Sequence, residues 1–395
     1  MSIRLNDDAM RQFRVAKVFP ETKHHTLAME FSSDGLRLLV CDHSALSIFS
    51  STRQVQVCKV PMHHYLPDVA CFVQQDTRVL HSTSKHDYTI RCLDLNTRHC
   101  VRVFGGHAKT INRLASQPGG ENVFISAGRD DQVYMWDIRV KTHTHRIKNL
   151  RRPLCAFDLE GLFLATSSGT EGIQIRDVRM MGGEPSRKFV YQVNAKANWT
   201  QLQFAPNGKS LLLSTDHSWC FSVSAIDGTY QQSFTGYSNK LRLPLDATYT
   251  PDSQFILSGA DKGRIHIWRA ADGFPVAVLK GNNMGPVRCM RFNPRATMFV
   301  SSDSRIVFWM PMANGVYDWV KRLKPGETIS FTDETVQEEA VKAPRTIPMP
   351  KPKIETVWKI KRLNRKRACT GDEIVDLTNA LHNNDSMEDG EIAED

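Results

Sequence analysis

A histidine, a serine and an aspartate within one short stretch of the chain are the residue types of a hydrolytic triad. In such a triad a serine is the nucleophile, a histidine its general base, and a carboxylate orients the base. Here they would be Ser126, His107 and Asp130. The sequence has no G-x-S-x-G elbow and no Walker loop to support catalysis. The alternative adds Trp136 and places all four in a hydrogen-bonded structural tetrad. We expect the tetrad, and no catalytic residue.

The cysteines and histidines do not form the pattern of a metal site. The nine cysteines are scattered, no two stand as Cys-x-x-Cys, and their odd number argues against a disulfide framework. The 14 histidines come without an H-E-x-x-H helix, so solvated loop residues are the better interpretation. We expect no metal, no cofactor, and the reduced thiols of an intracellular protein.

Charge divides the chain into three parts. The difference between Lys plus Arg and Asp plus Glu is +11 for residues 1–319, +7 for 320–367 and −9 for 368–395. Nowhere do about 18 apolar residues run uninterrupted, and the first residues lack the apolar stretch of a signal peptide. We therefore expect neither a membrane span nor secretion, and we expect basic and acidic segments to meet different partners.

An internal repeat positions the four tetrad candidates. Equivalent residues that close the third strand of each unit recur every 40 to 47 residues: Phe49, Leu93, Trp136, Arg176, Val223, Trp268 and Trp309. This period, together with the GH-to-WD signature around His107 and Trp136, is typical of WD repeats. The sequence predicts an all-β, seven-bladed WD40 propeller over residues 1–319. Residues 13–19 resemble the outer strands of other units, and we expect them to close the last blade, because an open ring would expose a strand edge.

Register within the blades indicates which side chains face the mouth of the propeller. These are His86, Asn112, Arg129, Arg151, Arg152 and Arg288. Guanidinium groups bind phosphate or carboxylate in a bidentate manner, so this surface is a candidate site for an acidic or phosphorylated peptide. The alternative is that these arginines only keep the domain soluble.

The C-terminal part has a disorder-like composition, with few aromatic residues and several prolines over 320–395. We expect a disordered tail and no second folded domain. Six cations fall within nine residues: Lys359, Lys361, Arg362, Arg365, Lys366 and Arg367. This pattern predicts a nuclear-import segment, and contact with RNA or DNA phosphates is the alternative.

The acidic part of the tail contains a short β-prone stretch. Ile374, Val375 and Leu377 lie among acidic residues, in the pattern of a SUMO-interacting motif. Such a stretch would add as a strand to the edge of a sheet, with its apolar side chains in a groove. The alternatives are a chance apolar spot or a short helix.

Four segments are more specific than generic WD repeats: FRVAKVF at 13–19, CAFDLEGL at 155–162, WTQLQF at 199–204 and TPDSQFI at 250–256. In this order they resemble the Swd-type WD-repeat subunit of COMPASS histone lysine methyltransferase complexes. The resemblance implies a nuclear adaptor that binds the methyltransferase subunit and recognises the phosphorylated C-terminal domain of RNA polymerase II. It also implies a place in protein phosphatase 1 and transcription-termination assemblies.

Two departures from that family point to a divergent paralogue. The chain continues well past the seventh blade, and the first two blades carry histidines, His43 and His86, around the tetrad turn. The alternative function is therefore an adaptor in a phosphatase, transcription-termination or RNA 3′-end-processing complex, or in a SUMO-linked silencing complex. In that alternative the basic tail would contact RNA directly.

Overall fold

The computed structural model describes residues 5–20, 24–62, 64–84, 87–120, 122–169, 172–190, 197–281 and 285–311, which are almost entirely β. His86, the import segment and the SUMO-interacting stretch lie outside these residues. One short helix, α1 (Asp7–Arg11), precedes the strands, and 3-10 turns lie at Val178–Met180 and Asp261–Gly263. No helix of the described residues is long and apolar enough to cross a bilayer.

The described strands follow one another blade by blade. The first is β1 (Phe13–Val18). Blade one has β2 (Thr26–Phe31), β3 (Arg37–Asp42), β4 (Ala45–Ser50) and β5 (Val55–Pro61). Blade two has β6 (Ala70–Val73), β7 (Arg78–Ser82), β8 (Ile90–Asp94) and β9 (Cys100–Phe104), and blade three has β10 (Ile111–Ser116), β11 (Val123–Gly128), β12 (Gln132–Asp137) and β13 (His143–Ile147). Blade four has β14 (Cys155–Phe157), β15 (Phe163–Ser168), β16 (Gly172–Asp177) and β17 (Arg187–Val190). Blade five has β18 (Trp199–Phe204), β19 (Ser210–Thr215), β20 (Trp219–Ser224) and β21 (Tyr230–Thr235). Blade six has β22 (Ala247–Tyr249), β23 (Phe255–Gly259), β24 (Arg264–Arg269) and β25 (Pro275–Lys280), and blade seven has β26 (Cys289–Phe292), β27 (Phe299–Ser302) and β28 (Ile306–Pro311).

Each blade is a four-stranded antiparallel sheet, and the prediction of an all-β, seven-bladed propeller is confirmed. The repeat landmarks fall in the third strand of each blade, where they meet apolar residues of the second. Trp136 pairs with Phe124 at an interplanar angle of 11°, and Trp309 pairs with Phe299 at 10°. The same stacked pair thus recurs in blades three and seven, in the interior where both faces of a sheet are covered.

Blade seven takes its outer strand from the N-terminal part of the chain. β1 pairs antiparallel with β28, from Phe13 opposite Pro311 to Val18 opposite Val307. The side chain of Phe13 is fully buried, and its ring centroid lies 5.1 Å from that of Phe299. The blade is complete only because strands from opposite ends of the repeat array pair with each other.

The helix α1, which was not predicted from the sequence, anchors the closing strand. Asn6 caps it by accepting a hydrogen bond from the backbone of Ala9, and Met10 is fully buried. On the outside, Asp7 forms a 2.7 Å ion pair with Arg269 of blade six. The N-terminal segment is therefore fastened to blade six as well as to blade seven.

The first strands of neighbouring blades lie against each other around the axis, as β2 does against β6 and β26. Polar side chains there bridge blades. Arg113 of blade three donates to the carbonyl of Thr200 in blade five at 2.9 Å, and Arg291 donates to Asp246 at 2.8 Å. Glu30 accepts from the backbone N–H of Phe72 at 2.7 Å, and burial raises the pKa of its carboxyl to about 7. These bonds satisfy polar groups at the axis and tie the blades together.

Candidate peptide-binding face

The four tetrad residues come together in blade three. His107 contacts both carboxylate oxygens of Asp130 through Nδ1 at 3.0 Å and Ser126 Oγ through Nε2 at 2.7 Å. Trp136 donates its indole N–H to the same Ser126 oxygen at 2.8 Å. The carboxylate fixes the proton on Nδ1, so the serine hydroxyl donates to Nε2 while it accepts from the indole.

Burial decides what the tetrad can do chemically. Ser126 is 0% exposed, and the side chains of His107 and Asp130 are 1% and 4% exposed. Burial lowers the pKa of His107, although the negative charge of Asp130 acts in the opposite direction. The net effect favours the neutral ring. A hydroxyl enclosed in this way cannot meet a substrate, and within the blade it already donates to His107 and accepts from Trp136. The arrangement is a structural clamp between strand ends.

Part of the clamp recurs in other blades. In blade seven the indole N–H of Trp309 donates to Ser301 Oγ at 2.8 Å. In blade six that of Trp268 donates instead to the carbonyl of Thr235 at 3.1 Å. Blade three thus holds a full tetrad, blade seven keeps the tryptophan with its serine acceptor, and blade six keeps the tryptophan but has a backbone carbonyl as the acceptor.

A family comparison matches the same three blades. The WD domain, G-beta repeat family matches residues 98–137, 228–269 and 273–310. Each match begins at or before the outer strand of one blade and runs into the third strand of the next. The sequence repeat is therefore offset from the structural blade by one strand, which interlocks neighbouring blades.

Individual relatives define the family more narrowly. WD repeat-containing protein 82 of Drosophila melanogaster is 36% identical over 312 residues, which are 79% of this chain and 98% of that protein. The chain belongs to the family of WD repeat-containing protein 82. The match leaves about a fifth of this chain without a counterpart in that relative.

Two further relatives are named as components of COMPASS and of the Set1 complex. COMPASS component SWD2 of Saccharomyces cerevisiae is 25% identical over 328 residues, 78% of this chain and 98% of that protein. Set1 complex component swd2 of Schizosaccharomyces pombe is 22% identical over 328 residues, 71% of this chain and 91% of that protein. The resemblance to a Swd-type WD subunit is confirmed, and the protein is a WD-repeat scaffold.

In this family member, two of the residues predicted to face the mouth lie together. Arg129 follows β11 and is exposed, and its Nε donates to Oδ1 of Asn112 in β10 at 3.3 Å. Asp68 lies on the connection that leads into blade two. Burial raises the pKa of its carboxyl, and the positive charge of nearby Arg129 partly offsets this increase. The surface next to blades two and three therefore combines a cation, an amide and a partly buried acid.

Arg151 and Arg152 lie on the connection from blade three to blade four, and both are exposed. The backbone N–H of Arg152 donates to Asp131 at 3.1 Å, which fixes the residue in the left-handed region at φ 44°. Its guanidinium donates to Oδ1 of Asn198 at 2.9 Å, and Asn198 donates in turn to Asp216 at 2.8 Å. The side chain of Arg152 thus lies against the connection into blade five.

Arg288, the remaining arginine predicted to face the mouth, is in a different environment. Nε of Arg288 lies 3.3 Å from Oδ1 of Asp303, and Nδ1 of His25 lies 2.9 Å from the same oxygen. Asp303 is 5% exposed, so its charge is close to both partners and partly desolvated. The sequence register identified Arg288 but not Asp303, although Asp303 precedes Trp309 by the same number of residues as Asp130 precedes Trp136.

Proposed function

We propose that the protein is a non-catalytic nuclear scaffold that uses the mouth of its propeller to hold acidic or phosphorylated segments of its partners. The observation that carries the proposal is the pairing of two exposed arginines with neutral groups. Arg129 and Arg152 donate to the amide oxygens of Asn112 and Asn198, so these bonds orient the guanidinium groups without neutralising them. An oriented, charged guanidinium forms strong hydrogen bonds to phosphate.

The partners follow from the relatives. The two yeast proteins are named as components of COMPASS and of the Set1 complex. By that kinship this chain would serve as the adaptor of a COMPASS-type methyltransferase complex and link it to the phosphorylated C-terminal domain of RNA polymerase II. A protein phosphatase 1 or transcription-termination complex is the alternative setting, with RNA contact through the basic tail. SUMO binding through Ile374, Val375 and Leu377 stays a prediction.

The double variant Arg129→Ala/Arg152→Ala tests the mouth. Each charge-assisted hydrogen bond contributes about 1.5–3 kcal/mol, so we expect binding of a serine-phosphorylated polymerase-tail peptide to weaken about tenfold or more. The measurement is fluorescence anisotropy with the labelled peptide. The matched control is Lys141→Ala/Lys209→Ala, which removes the same charge from exposed turns on the opposite edge of the blades. Equal affinities for the two variants would place the peptide elsewhere.

Nuclear entry is tested in the tail. Replacement of the six cations between Lys359 and Arg367 by alanine should shift a tagged protein from nucleus to cytoplasm, because import segments are read through their positive charge. The readout is the nuclear fraction by microscopy. The control removes six other cations of the same tail, Lys321, Arg322, Lys324, Lys342, Arg345 and Lys351. Nuclear accumulation that survives the first set, or is lost equally with the second, contradicts the assignment.

A further inference from the structure

A second concave site lies on the same edge of the propeller as the mouth arginines, at the junction of blades five and six. The connection that follows β21 and the turn between β23 and β24 enclose a cavity of about 360 Å³. The polar side chains that line it are Ser238, Lys240, Asp261, Lys262, Arg264 and His266. Arg129 and Arg152, by contrast, are placed by blades three to five.

The two segments are tied to each other by one carboxylate. Oδ2 of Asp261 accepts from the hydroxyl of Ser238 at 3.0 Å and from the backbone N–H of Lys240 at 3.1 Å. Lys262, at the tip of the turn, has φ 59° and ψ 32°, the left-handed region that non-glycine residues rarely adopt. The lysines thus stand on backbone that local hydrogen bonds hold in place.

The charge of the cavity is strongly positive. Lys240, Lys262 and Arg264 are exposed cations, and Asp261 is the acid that faces them. Burial, followed by the charge of Arg264, lowers the pKa of His266 to about 4, so this ring is neutral near pH 7. A formal charge of about +2 in one small cavity suits a dianion, and a phosphomonoester carries about −1.5 to −2 at this pH.

The same carboxylate also points to a hydrogen-bond donor in the ligand. Oδ1 of Asp261 is buried and has no hydrogen-bond partner among the described residues. A buried acceptor left unpaired is unfavourable, so a bound group that donates an N–H there would be stabilised. Leu241, beside Lys240, is 70% exposed and offers an apolar contact next to the cavity. A phosphorylated residue within a peptide would supply the anion for the cations, a backbone N–H for Asp261 and an apolar neighbour for Leu241.

We propose that this cavity binds a phosphoserine or phosphothreonine side chain of a protein partner, as a second anion site separate from the mouth arginines. Lys240, Lys262 and Arg264 bind the phosphate, and Asp261 accepts an N–H of the peptide backbone. A nucleic acid fits less well, because each of its phosphodiesters carries a single charge and its strands follow extended tracks of cations.

The experiment uses the full chain carrying Arg129→Ala/Arg152→Ala, so that the first site is weakened. The probe is an oriented library of phosphoserine peptides on beads, beside its unphosphorylated counterpart. We expect phosphate-dependent retention in this background and a further loss of about tenfold or more on adding Lys240→Ala/Lys262→Ala. Adding Lys141→Ala/Lys209→Ala instead should leave retention unchanged. Thermal denaturation verifies that every variant is folded.

Three results would overturn the proposal. The first is the absence of phosphate-dependent retention in the background variant, and the second is an equal loss for the two added lysine pairs. The third is displacement of the library by a single-stranded RNA oligonucleotide whose own binding also needs Lys240 and Lys262, which would make the cavity a nucleic-acid site. Arg129 and Arg152 are already replaced in this background, so none of these results depends on them. A failure of the mouth site is therefore distinguishable from a failure of the cavity.

Discussion

Replacement of Phe13 by alanine should lower the free energy of unfolding by about 3–5 kcal/mol, the usual effect of truncating a fully buried phenylalanine. Phe13 is 0% exposed and packs on Phe292 and Phe299 at centroid distances of 6.0 and 5.1 Å. Removal of residues 1–20 should have a larger effect, because blade seven then loses all of β1. We expect that truncated chain to aggregate through the exposed edge of β28.

Chemical denaturation of the full-length variant and size-exclusion chromatography of the truncated chain measure these effects. The matched control is Phe274→Ala, since Phe274 is 51% exposed and the guanidinium of Arg269 lies over its ring at 5.6 Å. A change within about 0.5 kcal/mol is expected for it, as for most surface positions. If Phe13→Ala were as mild as this control, or the truncated chain stayed monomeric and equally stable, β1 would not be what closes the ring.

Replacement of Ser126 by alanine should cost about 2–4 kcal/mol, although it removes one oxygen atom. The indole N–H of Trp136 and Nε2 of His107 both lose their partner inside the blade, and each unpaired buried group costs about 1–3 kcal/mol. The measurement is again the free energy of unfolding, with Ser186→Ala as the control because Ser186 is exposed. A loss below about 0.5 kcal/mol would show that the tetrad contributes little to stability.

The fold could be predicted from the sequence because its signal is repeated. Trp136 and Trp309 occupy equivalent places in their units, and the structure puts both in third strands, each stacked on a phenylalanine of the second. Any one repeat is ambiguous, whereas seven units in phase define both the period and the register. Blades one and two lack parts of the signature and still form complete sheets, because neighbouring blades cover both of their faces.

Contacts between blades could not be predicted in this way. Lys240 lies on a connection and Lys262 at a turn tip of the next blade, and only the packing of blades five and six brings them to one cavity. Arg113 reaches from blade three to blade five, and Asp303 lies beside Arg288, for the same reason. Repeat analysis compares equivalent positions, so it does not show which positions of different blades come into contact.

The pairing of β1 with β28 also dictates an order of events during synthesis. β1 is the first of the described strands to leave the ribosome and its partner is the last, so six blades are translated before the ring can close. Partners this far apart in sequence meet slowly, and the edge of β1 stays open throughout that time. The translation time of the propeller therefore sets how long a nascent chain is exposed to chaperones and to other copies of itself. The stability of individual blades does not shorten this time.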